Sequence, residues 1–163
     1  MCKFPLIILN TTSSFTFSEL KQKLADYCVY QDRCQYEVEL KMREFILIDQ
    51  AKEEIMIYLI QNDFLNEERF TKSYIRGKFY QKKWGKRKIL NELKKRNIPL
   101  KLINSCISEI DETDYLNTFQ KLATEKWKIL KDKNVFIKKK KLQSYLLQKG
   151  YENELIYDFF REI

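Results

Sequence analysis

Apolar residues return along this chain every three or four positions, the spacing of amphipathic helices rather than of strands. Leu20, Leu24, Tyr27 and Cys28 share one helical face. With Ser18 as N-cap and Glu19 in the first turn, they predict a first helix over 18–31, broken by Asp32-Arg33-Cys34. Tyr36, Val38, Met42 and Phe45 predict a second over 35–46, and Ile55, Tyr58 and Leu59 a third over 50–61. Asn62-Asp63 ends the third, and Phe64-Leu65 crosses back to the core. Asn66 is the next N-cap, followed by Glu67 and Glu68 where acids suit the helix dipole.

The fourth helix carries Phe70, Tyr74 and Phe79, and Trp84-Gly85 turns the chain into a fifth over 86–96 with Ile89, Leu90 and Leu93. Asn97 is placed to take a left-handed C-cap, and Pro99 to open the next helix. The sixth helix shows Leu102, Ile103, Cys106 and Ile107. Asp111 or Thr113 begins a long seventh with Tyr115, Phe119, Leu122, Ala123 and Trp127. The eighth, over 138–149, starts in Lys138–Lys141, shows Leu142, Tyr145 and Leu146, and stops at Gly150. The ninth carries Leu155, Ile156, Phe159 and Phe160.

Sliding the chain by about 53 residues superimposes two stretches of this pattern. Ile89 falls on Leu142, Leu93 on Leu146, Asn97 on Gly150, Leu102-Ile103 on Leu155-Ile156, and Cys106-Ile107 on Phe159-Phe160. A shift of about 51 sets Cys34, Val38 and Met42 under Gly85, Ile89 and Leu93, with a drift of two or three residues before Ile55 and Leu59. The fold class expected is therefore all-α: three tandem three-helix repeats in an elongated, curved array. The divisions are an N-terminal arm over 1–17 and repeats over 18–65, 66–110 and 111–163.

Composition agrees with helices, since Gly (3) and Pro (2) are too few for the turns of an all-β fold. There is no His and no Cys-x-x-Cys, so the cysteines at 2, 28, 34 and 106 read as reduced, partly buried thiols of a cytoplasmic protein, with no metal site and no cofactor. The run Phe4–Leu9 is too short to span a bilayer and reads as a leader or a strand-like arm.

Charge adds the functional clue. Residues 72–101 hold twelve Lys or Arg and one acid, Glu92, a net +11 in a chain of +8, whereas residues 1–71 are −4 and 102–163 are +1. A cation block interleaved with Tyr74, Phe79, Tyr80 and Trp84 suits a polyanion. Lys86, Arg87 and Lys88 fall in the first turn of the fifth helix, and Lys139, Lys140 and Lys141 in that of the eighth. A cation there meets the positive end of the helix dipole and costs roughly 0.3–1 kcal/mol. A phosphate bound to the free backbone amides would reverse that sign. The first repeat has Gln35, Tyr36 and Glu37 at the matching positions, so the anion-binding surface is assigned to the second and third repeats. Its candidates are Arg76, Lys78, Lys82, Lys83, Lys86, Arg87, Lys88, Lys94, Lys95, Arg96 and Lys138, Lys139, Lys140, Lys141. The bland alternative is that Lys-rich helices are solvated faces. Trp84 and Trp127 read as inter-helix anchors rather than base-stacking platforms.

Catalysis finds no footing: no general-base His, no Gly-rich phosphate loop and no nucleophile motif is present. The pairs Glu53-Glu54, Glu67-Glu68 and Asp111-Glu112 are adjacent in sequence and point to different sides of a helix. The chain is read as a non-enzyme.

The order Asn62-Asp63-Phe64-Leu65-Asn66-Glu67-Glu68-Arg69-Phe70, then Tyr74-Ile75-Arg76-Gly77-Lys78, Trp84-Gly85, Ile89, Glu92-Leu93, and later Leu146, Lys149-Gly150-Tyr151 and Ile156 resembles the RecX family, small bacterial regulators of the recombinase RecA. The resemblance covers about 18–163 and is most specific from Phe64 to Leu93. Asn66 stands where the family usually has an acid, Thr71 where it has Ala and Cys34 where it has Ser, and residues 1–14 match nothing familiar. The resemblance implies three three-helix repeats, no catalysis, binding along a RecA–DNA filament and inhibition of the recombinase. The partners expected with it are the RecA filament and single- or double-stranded DNA, met through its phosphates by a monomer that touches no membrane. The competing reading is a helix-turn-helix-like DNA-binding protein with no RecA role, which would select duplex sequence; a third is a protein-only scaffold with no salt-sensitive DNA binding.

Overall fold

The computed structural model describes residues 15–163. The run Phe4–Leu9, Cys2 and all but the end of the expected arm lie outside these residues. The regular elements described are nine α-helices and one π-helical turn: α1 (Phe17–Tyr30), α2 (Gln35–Met42), α3 (Asp49–Gln61), α4 (Glu67–Arg76), the π turn (Gly77–Gln81), α5 (Lys86–Lys94), α6 (Leu100–Ile107), α7 (Glu112–Ile129), α8 (Val135–Lys149) and α9 (Asn153–Glu162). No helix among the described residues is long and apolar enough to cross a membrane. The chain groups into two compact units divided after Phe70, inside α4.

In the first unit, Leu20, Leu24, Ala25 and Cys28 of α1 meet Val38 and Met42 of α2, Ile55 and Leu59 of α3, and the loop residues Phe45 and Leu65. The N-cap of α1 is Thr16, not Ser18. Thr16 Oγ1 accepts from the Glu19 amide at 3.2 Å, while Glu19 Oε2 accepts from the Thr16 amide at 2.8 Å. This reciprocal capping box satisfies two backbone donors where a cap at Ser18 would satisfy one. The bond from the Thr16 amide holds the Glu19 carboxyl below its usual range. Helix α2 stops short of the expected 46: the amides of Arg43, Glu44 and Phe45 turn to carbonyls three residues back, tightening the chain. Phe45 stays buried and meets Phe15 edge-on, with ring centroids 6.0 Å apart. Arg69 ties the loops of this unit together, reaching Asp32 Oδ1 at 2.9 Å, Asp63 Oδ2 at 2.8 Å and the Asp63 carbonyl at 2.8 Å.

In the second unit the repeat register emerges in the core. Ile89 and Leu142, Leu93 and Leu146, Ile98 and Tyr151, Ile103 and Ile156, and Cys106 and Phe159 are all buried. In the first unit the position set under Gly85 by the shift of about 51 behaves alike: Cys34, the N-cap of α2, is buried, as is Gly85 at the N-cap of α5. Asn97 takes the left-handed conformation expected of it (φ 59°), two residues past the C-cap of α5, Lys95; Gly150 is the left-handed C-cap of α8 (φ 93°), Pro99 caps α6 and Asp111 caps α7. Aromatic contacts run from Phe79 to Tyr115 (5.7 Å), Tyr115 to Tyr151 (5.4 Å), Tyr151 to Phe119 (5.3 Å) and Phe119 to Phe159 (6.3 Å). Cys28, Cys34 and Cys106 are buried free thiols, and burial pushes Cys28 up to about 11.

The start of α8 differs from expectation. Its N-cap is Asn134, whose side chain accepts from the Phe136 and Ile137 amides at 2.9 and 3.2 Å. The helix begins three residues before Lys138, so Lys139–Lys141 lie beyond its first turn. Val135, Phe136 and Ile137 form that turn and are exposed, so apolar periodicity could not reveal them.

Candidate functional site

The basic block is folded around a junction between two helix ends. The N-terminus of α5 abuts the C-terminus of α8, the carbonyl end of one dipole against the amide end of the other. The Gly85 amide donates to the Lys149 carbonyl at 2.9 Å and the Arg87 amide to the Gly150 carbonyl at 3.2 Å. The Lys86 amide donates to Tyr115 Oη at 3.0 Å, and that hydroxyl donates to Glu152 Oε2 at 2.7 Å. A Cβ on Gly85 would stand 2.3 Å from the Gly150 oxygen, and one on Gly150 2.3 Å from Lys88 Cβ. Both glycines are therefore needed for the backbones to approach. Burial, and then the Glu152 carboxylate, push the Tyr115 hydroxyl well above its usual range, so it stays protonated as the bridge requires.

This geometry corrects the expectation of an anion cradle at the first turn of α5. The amides of Gly85, Lys86 and Arg87 are engaged inside the protein and cannot hold a phosphate. It also explains why cations are tolerated there. Lys88 Nζ donates to the Gln148 carbonyl at 3.1 Å, at the negative end of α8, and lies 4.4 Å from the Trp84 ring centroid. Lys86 pairs with Glu112 and lies over the Tyr115 ring at 4.4 Å. The cradle expected at the start of α8 is likewise absent, because Asn134 takes its first amides.

Many of the candidate cations have partners within the chain, some of them at its surface. Arg76 pairs with Glu109 at 3.2 Å, Lys95 with Glu92 at 2.7 Å, and Arg96 reaches the Glu92 carbonyl at 2.8 Å. Lys78 lies over the rings of Tyr74 and Trp84, and Lys138 over Trp127 at 4.1 Å. Both Trp residues thus act as half-buried anchors. Lys139 donates to the Phe160 carbonyl near the end of α9 at 2.9 Å, and Lys141 pairs with Asp132.

Lys82, Lys83, Arg87, Lys94 and Lys140 remain. Their side chains are exposed and make no hydrogen bond, ion pair or ring contact among the described residues. Lys82 and Lys83 sit in the turn that leads into α5; Arg87, Asn91 and Lys94 line one exposed stripe of α5 at helical spacing. Lys140 stands apart, nine residues or roughly 13 Å along α8 from the end that meets α5. An open cleft of about 430 Å³ runs beside the stripe, lined by Arg87, Lys88, Asn91, Glu92, Lys95, Leu147, Gln148, Gly150 and Tyr151. No group of His, Cys, Asp and Glu among the described residues could hold a metal ion. Sequence reasoning placed Tyr115 in the core but missed its hydroxyl, and it missed Glu112 and Glu152; a Tyr where a Phe would serve packing was the available signal.

The comparisons with known proteins agree with this architecture. The family model for the second three-helix domain of RecX matches residues 66–107, and that for the third matches 112–160, together more than half of the chain. A protein of Clostridium acetobutylicum named regulatory protein RecX is 30% identical over 131 residues, covering 78% of this chain and 60% of its own length. Proteins of the same name from Chlorobium limicola and Serratia proteamaculans are each 27% identical, covering 61% and 68% of this chain. The matches span 61% and 64% of those two relatives, just under two thirds. The crystal structure of RecX from Lactobacillus salivarius superimposes with a TM-score of 0.77 at 23% identity, covering 90% of this chain and 95% of that one. A second crystal structure of a regulatory protein RecX gives 0.77 at 19% identity, covering 90% and 75%. With an all-α fold, buried positions that repeat in register and two matched three-helix domains, this chain belongs to the RecX family.

Proposed function

We propose that the chain is a non-catalytic regulator that binds RecA–DNA filaments and lowers recombinase and ATPase activity, acting as a cytoplasmic monomer. Its three-helix repeats are assigned to 18–65, 66–110 and 111–163. The observation that carries the reading is the group Lys82, Lys83, Arg87 and Lys94, exposed cations without internal partners on the turn into α5 and its outer stripe. Four ammonium or guanidinium groups with no acid to neutralise them attract a phosphate backbone, with little sequence preference and steep salt dependence. Lys86, Lys88, Lys139 and Lys141, each already bonded to a group of the chain itself, position this surface instead of contacting the partner.

The test is RecA's DNA-stimulated ATPase with this protein added. The rate is expected to fall as the protein is titrated in, and no change at excess protein would sink the reading. Binding measured across random and fixed duplexes adds a second readout: sequence-selective binding would favour a helix-turn-helix reader instead.

A further inference from the structure

Among the described residues, three that are not glycine occupy the left-handed backbone region: Asp63 (φ 55°), Lys83 (φ 54°) and Asn97 (φ 59°). Asp and Asn visit that region readily, because their short polar side chains bond to nearby backbone. Lys has no such compensation, and its Cβ crowds the following carbonyl. Glycine is the usual residue at a helix C-terminus of this kind.

The backbone around Lys83 is held from several sides. Its amide donates to the Phe79 carbonyl at 2.9 Å, and the Trp84 amide to the Lys78 carbonyl at 3.1 Å, closing the π turn. The Lys82 carbonyl accepts from Lys149 Nζ and the Lys83 carbonyl from the Tyr151 hydroxyl, each at 3.3 Å. Lys82 is right-handed (φ −99°, ψ −7°) and Lys83 left-handed, a pair that elsewhere forms an anion-binding nest of amides. Here the Lys83 and Trp84 amides are taken, so only the two ammonium groups are available to a ligand. Both project into solvent without an internal partner. The fold therefore keeps, at a strained position, a side chain that makes no hydrogen bond, ion pair or ring contact among the described residues. Strain held by its surroundings at a site with a free charged group marks function rather than packing.

We propose that the Lys82–Lys83 turn is a rigid clamp for nucleic-acid phosphodiesters, and that Lys83 stands there in place of glycine at a cost in stability in order to present its cation. This rests on the reading that the chain binds DNA, and names the contact. Because the turn is already locked, binding orders little backbone.

The full chain is tested as wild type and as Lys83→Gly, Lys83→Arg and Lys121→Gln, the last removing an exposed cation on α7. Each is melted thermally and titrated with oligothymidylate over a range of salt. Lys83→Gly is expected to raise Tm by about 2–4 °C, the shift for relieving left-handed strain in a chain of this size. It is also expected to flatten the slope of log affinity against log salt by about 0.7, the loss of one phosphate contact on a single strand. Lys83→Arg keeps the wild-type Tm and slope, and Lys121→Gln keeps the slope. The proposal is overturned if Lys83→Gly binds with the wild-type slope, if it melts lower, if Lys121→Gln flattens the slope equally, or if the wild type does not bind oligothymidylate. In that last case the effect on RecA's ATPase, measured separately, shows whether the regulatory reading survives.

Discussion

Helix α5 opens with Lys86-Arg87-Lys88 directly behind its N-cap, whereas α8 opens with Val135-Phe136-Ile137 and reaches its cations only at the fourth position. At α5 the N-cap residue, Gly85, has no side chain to offer; the amides are satisfied by the distant carbonyls of Lys149 and Gly150 and by the Tyr115 hydroxyl. At α8 a single side chain, Asn134, does that work locally. The cations follow from this. Near α5, Lys88 lies beside the negative end of α8 and Lys86 rests on Glu112 and the Tyr115 ring, so both become fastenings of a tertiary junction. In α8 the cations sit past the first turn, where the dipole penalty has faded, and Lys138, Lys139 and Lys141 settle onto Trp127, the end of α9 and Asp132. A similar run of lysines in sequence is thus put to different use according to how the helix start is capped.

The largest expected break in this comparison is at the glycine contact. Gly85→Ala or Gly150→Ala forces a Cβ to within 2.3 Å of a backbone oxygen or of Lys88 Cβ, and is expected to cost on the order of 3 kcal/mol. Chemical denaturation reads this directly; a cost no greater than that of losing the α8 cap would contradict the junction. Tyr115→Phe comes next. It removes the acceptor of the Lys86 amide and the donor to Glu152, and is expected to destabilise by about 1–2 kcal/mol with the helical circular dichroism preserved. Asn134→Ala, the local counterpart at α8, is expected to cost about 1 kcal/mol. The smallest effect is Lys86→Gln, which removes a partly exposed pair with Glu112 and is expected to cost less than about 1 kcal/mol in a thermal melt that also shows reduced sensitivity to added salt.

Much of the helical framework was legible because it rests on local rules. Pro99, Asp111 and Gly150 signal their caps, and Asn97 its left-handed turn, by residue type alone, and the core pairs Ile89 with Leu142 and Leu93 with Leu146 follow from periodicity. The start of α8 was hidden because its first turn is exposed and apolar, and the start of α1 because Thr16 and Ser18 are both competent caps until Glu19 chooses between them. The site was less legible. That Gly85 touches Gly150 depends on contact between residues 65 positions apart, and which lysines are spent depends on partners such as Glu109, Gln148 and Phe160 that no spacing rule connects to them. A charge count finds the surface; only the packing separates the cations that build it from those it offers.

That separation can be measured with two variants of equal charge change. One carries Lys82→Gln, Lys83→Gln, Arg87→Gln and Lys94→Gln; the other carries Lys86→Gln, Lys88→Gln, Lys139→Gln and Lys141→Gln. Oligothymidylate affinity is compared for the two at a salt concentration and temperature where circular dichroism shows both folded. The first is expected to lose most of the salt-dependent binding and the second to retain it, and an equal or greater loss in the second would contradict the division of the cations drawn here.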